Sequence, residues 1–514
     1  MLIINNRVEL KKWLDNHALH KGVINPDCNK AKIRKKYVYI DCIFTDYMAA
    51  FLPRFIYAKG LKDRHPEYEL VAICDKKEAD VNAVSECYGI RTLNLRGTIS
   101  MIKALLMALI VFIFWNNSKS IYSLSFRNVE IGKYLADYLI RRSDDLFSVE
   151  QIRFRDLKHV SVFYWKLIEV DKIFRKAPPD MYLVLETGYW YGPVIKMAEN
   201  YGARIVQCLS GSKIMEIGKK INIPINSIDS WNYGVHKGVE KIEKDGIDYI
   251  SWADDYYKRR RLGLTDRDAT DAYANKIILT RDEWAKQSLA DKNKKNIVIM
   301  AHCFSDDANT TTSRSIYRDY YKWLIRTLEI IQQVDNVNWL LRAHPGRGVY
   351  NEGNRIYEIF EKYAQKDNIF ILADDISSES LYNIIDGAVT VLGTCGLEFS
   401  SFGIPVVCAG LASYGGFGFT MEPQNEKEYI KYLSSMDQVS RLSEEKIDVA
   451  RKVSYAYFNL RNPADKLDQI FENSLMMSKN IASDYVIEKM NKLDDEGFWD
   501  KDSFFYKKAS YNLE

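Results

Sequence analysis

From residue 36 the chain alternates short runs of β-branched and apolar residues with stretches in which apolar residues recur at helical spacing. Residues 37–43 (YVYIDCI) and 70–74 (LVAIC) read as buried strands and 90–95 as an extended segment, with helical spacing over 46–62 and 79–88 between them. The rhythm resumes with a strand over 181–186, a helix over 192–201 and a strand over 203–208. The densest series comes last, with strands over 295–302, 337–344, 369–372, 388–392 and 404–408 and helices over 315–333, 354–364, 379–385 and 395–402. Strand, helix, strand at this spacing predicts parallel sheets covered on both faces, and five such strands between 295 and 408 are enough for a complete Rossmann-like domain.

The pattern predicts an N-terminal extension over 1–35 and a Rossmann-like domain over 36–250. A helical connection without strand signal follows over 251–290, then a second Rossmann-like domain over 291–440 and a helical tail over 441–514. One stretch resists the alternation. Residues 104–115 (ALLMALIVFIFW) are uncharged and apolar, too short for the roughly 17–25 residues of a spanning helix. They are expected to be a buried helix running into a core strand, with interfacial membrane contact as the alternative.

Composition narrows the function. With 72 Lys and Arg against 69 Asp and Glu, the net charge of +3 gives no basic excess for coating nucleic acid. The local basic runs 30–36 and 258–261 read first as solvated faces and second as contacts to phosphate or anionic lipid. The eight cysteines form no CxxC pair and several lie in apolar runs, which predicts buried free thiols in a reducing cytoplasm. The first residues lack the pattern of a signal peptide.

No GxGxxG fingerprint and no GxxxxGK[ST] loop follows any predicted strand, which argues against dehydrogenases and P-loop ATPases. The strongest constellation is Gly393, Thr394, Cys395, Gly396 and Glu398 directly after a strand. Two glycines allow a tight turn, the helix that follows would aim N–H groups at an anion, and Glu398 one turn in is placed either to accept ribose hydroxyls or to sit well on the helix dipole. A second constellation, Arg342, His344 and Pro345, ends the strand before it, where an imidazole at the sheet edge can stabilise or protonate a phosphate leaving group. His302 also ends a strand, followed by Ser305, Asp306 and Asp307, and reads as a substrate contact or a structural histidine. The glycine-rich run 410–420 reads as a loop that closes over ligand or merely connects. Asp41, Asp46 and Glu186, at predicted strand ends of the first domain, are the candidate catalytic carboxylates.

These motifs make residues 295–435, and less clearly the whole chain, resemble bacterial capsule and surface-polysaccharide glycosyltransferases of α/β GT-B architecture, two Rossmann-like domains facing a cleft. The nearest resemblance is to those that use CMP-activated 3-deoxy-octulosonic acid (Kdo). It implies a metal-independent, cofactor-free enzyme that takes a CMP-activated donor in the C-terminal domain and a glycan or glycolipid acceptor in the N-terminal one, in the cytoplasm, with peripheral contact to the inner face of the membrane. It further implies that His344 binds or protonates the CMP phosphate, that Thr394 and Gly396 contact phosphate, and that Glu398 binds ribose. Gly393, Cys395, Arg342, Pro345 and His302 would line the same donor site. One departure is that the phosphate motif reads Thr394-Cys395 where sialyltransferases of this type pair two serines, which favours a Kdo-like donor. UDP-sugar transferases, nucleotide-sugar epimerases, CDP-polyol phosphotransferases and a non-catalytic assembly protein remain as alternatives.

Overall fold

The computed structural model describes residues 35–43, 54–75, 89–115, 121–208 and 214–460, apart from single or paired positions inside those spans, together with 3–4, 85 and 480–481. Residues 46–53 of the helix predicted over 46–62, the helix predicted over 79–88, most of the 30–36 basic run, Asp46, Cys28 and Cys87, and the tail beyond 460 fall outside them, wholly or for the most part. The other six cysteines are free, five of them buried.

The chain divides into two compact units, 1–132 with 152–227 and 462–514 in one, so far as they are described, and 133–151 with 228–461 in the other. The N-terminal unit holds strands β1 (Lys36–Asp41), β2 (Tyr68–Cys74) and β3 (Arg91–Asn94), then helix α1 (Thr98–Phe114). After α2 (Gly132–Arg142), most of which belongs to the other unit, it continues with α3 (Leu157–Lys176), β4 (Met181–Val184), α4 (Tyr191–Asn200), β5 (Arg204–Cys208) and β6 (Ile214–Ile217). Its sheet runs β3-β2-β1-β4-β5-β6, parallel except for β6, so the connection reverses direction between β1 and β4. Runs such as Val38, Ile40 and Leu70 to Cys74 are fully buried, as strands covered on both faces must be.

The structure corrects the reading of residues 104–115. They are neither a core helix nor the start of a strand: α1 continues to Phe114 and buries only Ser100, Ala104, Ala108 and Val111, along α3. The 20-residue α3 has apolar positions at helical spacing through 157–176 and was not anticipated.

The C-terminal unit adds α5 (Ser227–Asp245), α6 (Tyr249–Arg261), α7 (Arg267–Tyr273) and α8 (Arg281–Ser288), then β7 (Lys295–Met300), α9 (Ala308–Thr311), α10 (Tyr320–Ile331) and β8 (Val337–Arg342). It ends with α11 (Arg355–Tyr363), β9 (Ile369–Ile371), α12 (Ser378–Ile384), β10 (Gly387–Thr390), α13 (Cys395–Ser400), β11 (Val406–Cys408), α14 (Glu426–Ser434) and α15 (Glu444–Ser454). All five strands are parallel in the order β9-β8-β7-β10-β11. This is the Rossmann order, and its switch point lies between β7 and β10. Residues 133–151 join this unit through Asp137 of α2, whose buried carboxylate accepts from both the N–H and the side chain of Asn309 (2.7 Å each) and of Thr310 (2.9 and 2.8 Å).

Candidate active site

Strand register decides what meets at the carboxyl edge of the C-terminal sheet. Met300 pairs with Arg342, so two residues further on His302 and His344 stand level; Ile299 pairs with Val389, which brings Leu392 level with His302. Leu341 pairs with Ile371, which brings Asp374 level with His344. The two imidazoles lie 6.5 Å apart and near parallel, and the turn after β10 closes on His302 from the other side of the switch point.

His302 is stacked on Tyr320 at 4.5 Å, and its Nε2 accepts from the Leu392 backbone N–H at 3.3 Å and lies 3.2 Å from the Thr390 hydroxyl. By this hydrogen-bond geometry the ring proton is assigned to Nδ1. For His344 the assignment is the reverse: Nδ1 accepts from the Gly346 N–H at 3.1 Å, within the turn that Pro345 begins, so the proton sits on Nε2. Burial pushes His302 down to about 3, helped by neighbouring His344, and His344 down to about 4, helped by the Arg347 guanidinium. Both rings are therefore neutral near pH 7, and His344 offers a neutral N–H donor rather than an imidazolium.

Gly393 and Gly396 are required by crowding. A Cβ on Gly393 would lie 2.9 Å from the Thr390 hydroxyl, 3.1 Å from the Cys395 sulfur and 3.3 Å from His302 Nε2; one on Gly396 would lie 2.2 Å from the Tyr414 hydroxyl. Tyr414 is fully buried and donates to the Gly393 carbonyl at 2.5 Å. The glycine-rich run is thus anchored under the turn, and Asn232 holds it further by donating to the Gly415 carbonyl at 3.1 Å. The first helical N–H groups, of Gly396, Leu397 and Glu398, donate to the carbonyls of Gly393 and Thr394. Burial pushes the Cys395 thiol up to about 12, so it is protonated.

Two expected ligand contacts are bonded to the protein itself. Arg342 is buried, donating to the backbone carbonyls of Ala373 and, at 2.7 Å, of Ile376, and so shapes the loop after β9. Glu398 is buried too: Oε1 accepts from Arg260 at 2.8 Å and Oε2 from the Tyr273 hydroxyl at 3.1 Å. The 258–261 run is accordingly not a uniformly solvated face, because Arg260 turns inward and Arg261 pairs with Glu379. The spacing Ala253, Tyr256, Tyr257, Arg260, all buried on one side of α6, was the available signal. Thr390 and Tyr320 were missed, since each lies in or beside an apolar run where a hydroxyl's partner is decided by tertiary packing; Tyr414 lies inside the glycine-rich run 410–420, which reads from sequence only as a loop.

In the N-terminal unit Asp41 ends β1, and Glu186 follows β4 on the opposite side of that sheet's switch point. Asp41 is fully buried, accepts from the Tyr182 hydroxyl and from the Ile43 N–H at 3.1 Å, and burial raises its carboxyl to about 6. Glu186 is half-buried.

The sequence likeness to a known family lies in the segment spanning α6 to α15. Residues 254–447 match the family of capsule polysaccharide biosynthesis proteins. No curated protein matches the sequence. Among solved structures the chain is similar to the β-Kdo 2,4-transferase of Thermosulfurimonas dismutans KpsC, at 10% identity over 53% of this chain and 79% of that one, TM-score 0.30. It is similar also to the β-Kdo 2,7-transferase of the same protein, at 13% identity over 61% and 98%, TM-score 0.29. A third is the wall teichoic acid polymerase TagF, at 12% identity over 95% and 94%, TM-score 0.22. Likenesses of this size assign neither activity nor substrate; the capsule family match and the paired Rossmann-type sheets are what the functional reading builds on.

Proposed function

We propose that the chain is a GT-B glycosyltransferase of capsule or surface-polysaccharide synthesis that takes a CMP-activated keto-sugar acid, Kdo or a relative, and passes the sugar to a glycan or glycolipid acceptor at the inner face of the cytoplasmic membrane. The observation that carries this reading is the convergence of His302, His344 and the Gly393 to Cys395 turn at the switch point of the C-terminal sheet, inside the segment that matches the capsule family.

In the reaction the bond from anomeric carbon to phosphate oxygen breaks and its electron pair leaves with CMP. His344 Nε2–H donates to that phosphate as charge builds on it, and His302 holds the turn in register. The hydroxyl and N–H of Thr394 and the N–H of Cys395 supply further donors. The acceptor hydroxyl attacks the anomeric carbon and gives its proton to a carboxylate. Glu186, half-buried, and Asp41, fully buried, are the candidates for that carboxylate. Arg342 and Glu398 support the donor loops from behind.

The test is thermal denaturation with millimolar CMP, CDP, UDP and GDP in turn, followed by transfer of labelled sugar from the stabilising nucleotide's donor. CMP is expected to raise the melting temperature most. A shift with UDP and none with CMP replaces the donor by a UDP-sugar, and turnover without acceptor then identifies an epimerase. A shift with CDP and transfer of a polyol phosphate identifies a phosphotransferase. Binding of no nucleotide, with capsule formation unaffected by His344→Ala, leaves the assembly-protein reading.

A further inference from the structure

We propose that the exposed face of α1 is a lipid-docking surface that lays the N-terminal unit on an anionic bilayer. The stripe of Ser100, Ala104, Ala108 and Val111 is buried along α3, where Lys172 donates to the Ser100 hydroxyl. A Cβ on Gly97 would lie 2.4 Å from Glu169 Oε1, so the helix starts in close contact with α3. Small residues thus face the protein and large ones face out. Ten large apolar side chains between Ile99 and Trp115 are exposed, Ile113 to 65% and Phe114 to 71%, a continuous patch rather than scattered surface hydrophobes. The patch extends to Phe154, 77% exposed, whose ring lies 6.3 Å from that of Phe112.

Charge selects the occupant. Residues 98–115 contain no acid and one base, the exposed Lys103, while Arg96, Arg155 and Lys158 are exposed beside the two ends of the helix. Against a second copy of this face Lys103 would meet apolar side chains with no carboxylate to pair it. Against lipid its stem covers apolar surface while the ammonium reaches a phosphate headgroup, and the flanking cations add to the attraction. Phe114, Trp115 and Phe154 gather at one end, as aromatic rings do at the headgroup level. The helix is about 25 Å long and fixed to α3 along one side. Among the described residues no helix is long and apolar enough to cross a membrane, so α1 lies along the surface.

The proposal deepens the membrane-side placement given above, but it is read without donor or acceptor, so failure of the transferase reading leaves it standing. The experiment is flotation of the full-length protein with vesicles of phosphatidylcholine alone or mixed with phosphatidylglycerol. The protein should float with the anionic vesicles, and less with neutral ones or in high salt. The triple variant Ile102→Glu, Leu106→Glu, Ile113→Glu should bind at least about tenfold less with its melting temperature unchanged, since all three side chains are exposed. Lys103→Glu with Lys158→Glu should lose the preference for anionic lipid. Failure of the wild type to float, or equal flotation of the triple variant, overturns the proposal. So does a wild-type dimer that the triple variant dissociates while neither floats, because the face is then an interface between copies.

Discussion

Arg260 and Glu398 form a buried ion pair, Nη2 to Oε1 at 2.8 Å with each side chain only 6% exposed, and so tie α6 to α13, the helix that follows β10 and its turn. Two charges taken from water are held by each other and by the Tyr273 hydroxyl on the second carboxylate oxygen.

Removing one partner should therefore cost far more than an exposed pair would. Glu398→Ala leaves a buried guanidinium without its counter-charge and is expected to lower unfolding stability by about 3–5 kcal/mol, with Glu398→Gln milder and Arg260→Met with Glu398→Leu recovering most of the loss. Urea unfolding measures this. A loss under about 1 kcal/mol in Glu398→Ala, combined with weakened donor binding, would instead mark Glu398 as a ribose contact.

That pair also shows what the sequence could and could not disclose. Strand runs such as 295–300 and 337–342 are legible because their centres, 297–300 and 339–341, are unbroken apolar residues, as burial on both faces demands, and the parallel order follows from the helices between them. His302, His344 and Gly393 were legible as a group for the same reason, since each directly follows a strand. The partner of Glu398 was not, because it lies 138 residues away on a helix whose basic run looks like a solvated face. α1 was misread because an apolar run states that water is unfavourable without stating whether protein or lipid replaces it.

The two glycines of the turn make separate demands. Gly396→Ala would place a methyl 2.2 Å from the Tyr414 hydroxyl and should destabilise by about 1–3 kcal/mol. Tyr414→Phe removes that oxygen, leaving the ring carbon at 3.1 Å, but also breaks the bond to the Gly393 carbonyl. The double variant should accordingly be more stable than the sum of the single losses predicts, by about 0.5 kcal/mol or more. Additive losses would mean that Tyr414 is not what excludes a side chain at 396.

The histidine shifts fix a direction for acid sensitivity. A histidine held at about 3, as His302 is, or about 4, as His344 is, takes up fewer protons folded than unfolded once the pH drops below its ordinary 6.5. Stability from these groups is whole above 6.5, falls as the pH falls from there towards 4, and levels off below 3. Asp41, raised to about 6, acts in the opposite direction between its ordinary 3.8 and that value, so the total curve mixes signs. Comparing wild type with His302→Gln, which keeps an acceptor near Nε2 and cannot titrate, isolates the histidine contribution. The variant should lose less stability between pH 6.5 and 4, and an identical slope would refute the depressed value.

His344 serves two partners with two nitrogens, and conservative substitutions can separate them. Nδ1 accepts from the Gly346 N–H and shapes the turn, while Nε2 carries the proton that the proposed reaction offers to phosphate. Asparagine can reproduce the acceptor but not the donor, and glutamine can place a donor near Nε2 but not the acceptor. His344→Asn is expected to keep the melting temperature and donor KM near wild type while kcat falls about 10²–10³-fold, the loss typical of a donor to developing negative charge. His344→Gln should keep more of kcat and lose a little stability. Because the free enzyme's His344 is neutral above about 4, kcat/KM should show no step near 6.5 belonging to this residue. A step at that pH which His344→Asn abolishes would make His344 a cationic acid rather than a neutral donor.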